Sequence, residues 1–102
     1  MPKTKFQIRL LKIAEEDFTE IVTYISADNP NAANSLATKI EKNLELLSDN
    51  PKLWRIPRDE EIRNLGYRYI IIQNHIIFYT IDEKTILIHR ILHSARNYKS
   101  LL

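Results

Sequence analysis

Apolar and polar positions change their rhythm several times along the 102-residue chain. Phe6 to Lys12 is short and β-compatible, with Ile8 and Leu10 on one face and Arg9 and Leu11 on the other. From Ala14 the period becomes helical. Ala14, Phe18, Ile21, Val22 and Ile25 form one side, while Glu15, Glu16, Asp17 and Glu20 form the other. Acids in this first turn suit the positive end of the helix dipole. Ala27-Asp28-Asn29-Pro30 breaks the run, Asn29 as a capping residue and Pro30 at a first helical position that does not need its N–H. A second helix carries Ala33, Leu36, Ala37, Ile40, Leu44 and Leu47 as one stripe and stops at Ser48-Asp49-Asn50-Pro51. The short connection folds the two helices into an antiparallel hairpin over about residues 14–48.

A loop over 49–61 follows, punctuated by Pro51 and Pro57 and anchored on the helices by Trp54. The remaining pattern predicts strands at Arg68–Gln73, Ile76–Ile81 and Thr85–His93, preceded by a short candidate at Ile62–Leu65, a meander over about 62–93. Asn74-His75 is read as a two-residue hairpin turn and Asp82-Glu83-Lys84 as the next reversal. The tail, 94–102, forms a short helix or a flexible end. The order β-α-α-β-β-β predicts a single α+β domain over 1–102, its helix hairpin packed on one face of a small, mostly antiparallel sheet. The other face is then expected to be open, and to carry function.

Composition narrows the chemistry. With no cysteine there are no thiolate nucleophiles, zinc–thiolate sites or disulfides. A lone glycine, Gly66, leaves no phosphate-cradling loop, so NTPases and dinucleotide enzymes are excluded. The serines lack a nucleophile elbow. His89 and His93 are four apart, but on a strand that is about 13 Å at roughly 3.3 Å per residue, so neither metal nor other cofactor is expected. No run approaches the roughly 20 apolar residues of a membrane span, which points to a cytoplasmic protein. The net charge of +2 hides an acidic middle, with 11 acids against 5 bases over 13–62, between basic ends. If those ends meet in space they form one moderately basic face.

Three stretches then carry a resemblance. Pro57-Arg58-Asp59-Glu60-Glu61-Ile62-Arg63, Ile76-Ile77-Phe78-Tyr79-Thr80-Ile81 and Ile88-His89-Arg90-Ile91-Leu92-His93-Ser94-Ala95-Arg96 resemble the RelE/ParE toxin superfamily of bacterial type II toxin–antitoxin modules. The strand and the arginine–histidine ending are most similar to the ParE branch. Leu53-Trp54 before Arg55, and Asn97 after Arg96, depart from the usual ParE pattern. The resemblance implies a cognate antitoxin folding over the toxin in a hetero-oligomer. It also implies one of two targets: DNA gyrase, held by binding alone, or mRNA cut on the ribosome. A member that only binds its antitoxin is a third outcome.

Cleavage of the RelE kind needs a base, cations around the phosphate and an acid. Arg63, Arg90 and Arg96 could supply charge, His93 proton transfer, and Tyr98 stacking or a proton. Strand alternation puts His89, Ile91 and His93 on one face and Ile88, Arg90 and Leu92 on the other, so Arg90 and His93 oppose each other. Arg90 is equally suited to an ion pair with the acidic helix hairpin, and His93 to closing the strand. Tyr67, Tyr69 and Tyr79 read as packing residues with wet hydroxyls. An apolar groove along the hairpin and sheet edge is the expected antitoxin site. Lys99–Leu102, basic and apolar, is expected to contribute to toxicity.

Overall fold

The computed structural model describes residues 5–52, 54–94 and 98–102. Its elements run β1 (Gln7–Leu10), α1 (Lys12–Asp28), α2 (Pro30–Asp49), α3 (Glu60–Asn64), β2 (Arg68–Ile72), β3 (His75–Asp82) and β4 (Thr85–His93), and end in a 3₁₀ turn, Tyr98–Leu101. Asn29 caps α2, its side chain accepting from the Ala32 N–H at 3.1 Å, and Pro30 takes the first position. α1 starts at Lys12, ahead of Ala14, because the Leu11 carbonyl already accepts from the N–H groups of Ala14 and Glu15.

The sheet order is β1-β4-β3-β2. β2, β3 and β4 form the expected meander, and β1 joins β4 in parallel, from Gln7 opposite Thr85 to Leu10 opposite Ile88. The first reversal uses Gln73-Asn74 instead of Asn74-His75. Gln73 takes the left-handed backbone (φ 54°), so His75 is freed to pair with Ile72. The second uses Glu83-Lys84, again with a left-handed residue, Glu83.

Ile62–Leu65 is not a strand. It lies in α3 and its C-terminal cap, because Asp59 accepts from the Ile62 N–H at 3.0 Å, Glu60 and Glu61 fill the first turn and Arg63 the last. Those charges suit both ends of a short helix better than an edge strand.

One face of the sheet meets the helices. Ile70, Ile77, Tyr79, Ile86, Ile88 and Ile91 pack on Ala14, Leu36, Ile40 and Leu47, with Trp54 anchored against the same cluster. Tyr79 is fully buried and donates to the Pro51 carbonyl at 2.9 Å. Its hydroxyl is therefore dry, contrary to the sequence expectation, and burial pushes it up to about 12.

The opposite face is not open. Ile76, Phe78 and Leu92 are buried there among Tyr67, Tyr69, Tyr98, Leu101 and Leu102. β3 carries Ile76-Ile77-Phe78, apolar on both faces, and a strand of that kind needs cover on both. The basic ends do adjoin through the β1–β4 pairing. Part of their charge is met by the acidic middle: Lys5 approaches Asp49 at 3.9 Å, Arg90 Asp17 at 2.7 Å, and Lys99 both Asp59 at 3.0 Å and Glu61 at 3.2 Å. Among the described residues no helix is long and apolar enough to cross a membrane.

Candidate functional site

The candidate residues are arranged by an irregularity in β4. Phe78 pairs with Arg90 but Tyr79 pairs with Ile88, so His89 is an extra, bulged residue. Inward positions therefore run Ile86, Ile88, then Ile91, a shift that strict alternation does not foresee. His89 turns to the far face, where its Nε2 lies 2.8 Å from the Thr80 hydroxyl and its Nδ1 3.4 Å from the Tyr67 hydroxyl. The Tyr67 ring meets it edge-on at 4.9 Å. Burial lowers the His89 pKa and raises that of Tyr67, so both are neutral near pH 7. A neutral imidazole has one donor and one acceptor nitrogen, which matches two hydroxyl partners.

Next along the same face, the Tyr98 ring lies 5.0 Å from that of Phe78. Arg90, opposite Phe78, bends around the sheet edge. Its Nε and Nη2 donate to the Asp17 carboxylate at 2.7 and 2.9 Å, and its Nη1 donates to the Leu101 carbonyl at 3.2 Å. Asp17 also accepts from the Ile91 N–H at 3.1 Å. β1 ends at Leu10, opposite Ile88, and the carboxylate takes over the ladder position that follows. Asp17 is thus buried, although its helix side was read as polar. The signal existed: position 17 lies on the stripe that joins Ala14 to Ile21.

The other end of β4 opens into a cavity of ≈ 450 Å³ between α1 and the β2–β3 reversal. Ile21, Ile25, Ile91 and Leu92 give it apolar walls, and Glu20, Tyr24, Asn74, His75 and His93 its polar features. His75 and His93 face each other across the ladder, ring centres 5.6 Å apart and edge-to-face. His75 is nine-tenths buried and its Nδ1 has no hydrogen-bond partner. Burial, then the neighbouring His93, lowers its pKa.

The candidate catalytic residues do not form one cluster among the described residues. Arg90 and Tyr98 are both tied to the far-face cover, Arg90 through the Leu101 carbonyl and Tyr98 through Phe78, whereas His93 lines the helix-side cavity with His75. The bulge also puts His89 and His93 on opposite faces, not on one as read from alternation. Arg63 is exposed at the end of α3, its Nη1 near the carbonyls of Arg58 (3.2 Å) and Pro57 (3.5 Å). Arg96 lies outside the described residues. Sequence reasoning missed His75, taken as part of a turn, and the group Tyr67–Thr80–His89, which only the bulge assembles. No group of three metal-ligating side chains occurs among the described residues.

The model of a family described as the ParE toxin of type II toxin–antitoxin system, parDE, matches residues 8–98. No curated protein matches the chain. The fold is similar to that in the chromosomal ParDE toxin–antitoxin system from P. aeruginosa, with TM-score 0.71 and 17% identity over 88% of this chain and 97% of that one. It is also similar to that in the toxin–antitoxin complex RelBE2 from Mycobacterium tuberculosis, with TM-score 0.63 and 20% identity over 93% and 98%.

Proposed function

The chain belongs to the ParE toxin family of type II toxin–antitoxin systems, and from that membership we propose that it arrests growth in the cytoplasm by binding DNA gyrase and is neutralised by a cognate antitoxin. It acts by shape and charge and carries no catalytic group. The observation that supports this reading is the fate of Arg90. A cation for the phosphate of a cleaving RNA needs free N–H groups facing an open surface. Three guanidinium nitrogens of Arg90 are instead taken by Asp17 and Leu101, and its side chain is 12% exposed. Tyr98 is likewise packed against Phe78.

A second reading, ribosome-dependent mRNA cleavage, draws on a different residue from those read in the sequence. His89 has an imidazole between two hydroxyls on the far face, which suits proton transfer better than the position of His93. Purified toxin, with antitoxin as control, separates the two. Gyrase supercoiling and cleavage-complex formation are followed in one arm, and cutting of mRNA on programmed ribosomes in the other. Gyrase inhibition with intact mRNA is the expected result. Ribosome-dependent cuts that vanish in His89→Ala would replace the first reading with the second.

A further inference from the structure

We propose that the 98–101 turn is a strap over the far face, and that an antitoxin seated in the cavity beside α1 closes it from the opposite side of the sheet, through Arg90. The inference rests on the toxin–antitoxin reading and adds how cover on one face regulates access to the other.

Two side chains belong to both neighbourhoods. Arg90, opposite Phe78 in the ladder, divides its guanidinium between them. The edge formed by Nε and Nη2 grips Asp17, which lines the cavity, at 2.7 and 2.9 Å. Nη1, at the other end of the same plane, donates to the Leu101 carbonyl of the strap at 3.2 Å. A guanidinium is a rigid fork, so it cannot turn in one contact without moving in the other. Leu92 supplies an apolar link. It lines the cavity and belongs to the cluster that Tyr98, Leu101 and Leu102 cover.

The local chemistry gives the coupling its sign, which is closure. Asp17 accepts twice from Arg90 and once from the Ile91 N–H at 3.1 Å, which fills most of a carboxylate's acceptor capacity. An occupant therefore meets a saturated carboxylate and does not draw it away from Arg90. The ion pair is already largely dehydrated, its side chains 12% and 9% exposed, so covering it adds little desolvation cost. Excluding water from the cavity lowers the local dielectric and strengthens both the pair and the bond to Leu101. The occupied toxin holds its strap down, whereas the free toxin lifts it more often and bares Ile76, Phe78 and Leu92. A target contact that uses the far face is thus withdrawn by an antitoxin bound on the other side.

The test is hydrogen exchange of the full chain, alone and saturated with its cognate antitoxin. Amides of the strap are expected to exchange roughly tenfold more slowly in the complex, within the usual range of coupling between sites. Arg90→Gln removes the shared fork, so its strap should exchange fast in both states. Lys99→Ala should keep the slowing, because its ties to Asp59 and Glu61 run outside the relay. Should Arg90→Gln not fold, calorimetry on the chain lacking 98–102 gives the reciprocal measurement. It should bind antitoxin more weakly by the same factor by which antitoxin slows strap opening in the wild type. Strap exchange unchanged at saturation, slowing that persists in Arg90→Gln, or wild-type affinity in the truncated chain overturns the proposal and leaves the toxin–antitoxin reading intact. A wild-type toxin that binds no antitoxin overturns that reading, and the proposal with it.

Discussion

The two faces of the sheet are covered in different ways. The helix side is closed by α1 and α2, two long amphipathic elements whose stripes were set by the local pattern, and it holds most of the buried residues. The far side is closed by the last five residues of the chain over Ile76, Phe78 and Leu92. A helix of about 20 residues buries a whole stripe, whereas a single 3₁₀ turn relies on side-chain ties at its ends. Two such ties are seen among the described residues. Arg90 joins the turn to α1 from inside the edge, and Lys99 joins it to Asp59 and Glu61 from solvent. The comparison teaches that one cover is intrinsic to the fold and the other is conditional. Local opening should begin at the C-terminal turn.

The sharpest way to break this comparison is at the residue that serves both covers. Asp17→Ala removes the partner of Arg90 and orphans the Ile91 N–H. The expected loss is about 3–5 kcal/mol in urea unfolding, the usual result of stranding one half of a buried pair. A loss below 1 kcal/mol would show the pair to be dispensable. Deleting 98–102 should cost less, roughly 2–3 kcal/mol, because Ile76, Phe78 and Leu92 lose only part of their cover while Tyr67 and Tyr69 still pack on them, and should leave α1 and α2 protected in hydrogen exchange. Loss of helix protection would make the two covers one cooperative unit. The same deletion tests whether Lys99–Leu102 contributes to toxicity: unchanged gyrase inhibition by the folded truncation would remove that role.

Tyr79 sharpens the helix side. Its pKa is raised from 10.0 to about 12, so its contribution is complete below pH 10 and is lost as pH rises through 12. Tyr79→Phe should cost about 1–2 kcal/mol at neutral pH, because the Pro51 carbonyl loses its donor. It should also flatten the alkaline limb of a stability–pH profile. Asn29→Ala, which removes the α2 cap, should cost about 1 kcal/mol by thermal melting. Lys99→Ala should have the smallest effect, a slight shift in midpoint that disappears at high salt, because its ion pairs are solvated. A large loss would mean that the far-side cover depends on this tie.

Much of this was readable in the chain because the relevant signals are local. Asn29 and Pro30 mark a helix start wherever they occur in that order. Ala33, Leu36, Ile40, Leu44 and Leu47 can share a face only on a helix, and the late apolar runs can pair only as consecutive hairpins. The candidate site was less legible. Arg90 and His93 were named from the residues, but what each touches depends on β1 ending at Leu10 and on one inserted residue at His89. The segment 62–65 reads as a strand because a few apolar residues fit a strand as well as a helix. The decision lay with Asp59 as cap, a choice between two local signals.

The sequence by itself therefore determined the two long helices, the meander, the family and the charge asymmetry, all properties of residues close together or of order along the chain. Tertiary structure alone decided that Asp17 is buried, that His89 and His93 face opposite ways, that His75 lines a cavity, and that the chain's end covers the far face. Each of these follows from contacts between distant residues. Burying one carboxylate beside one guanidinium is favourable only once the sheet edge between them exists.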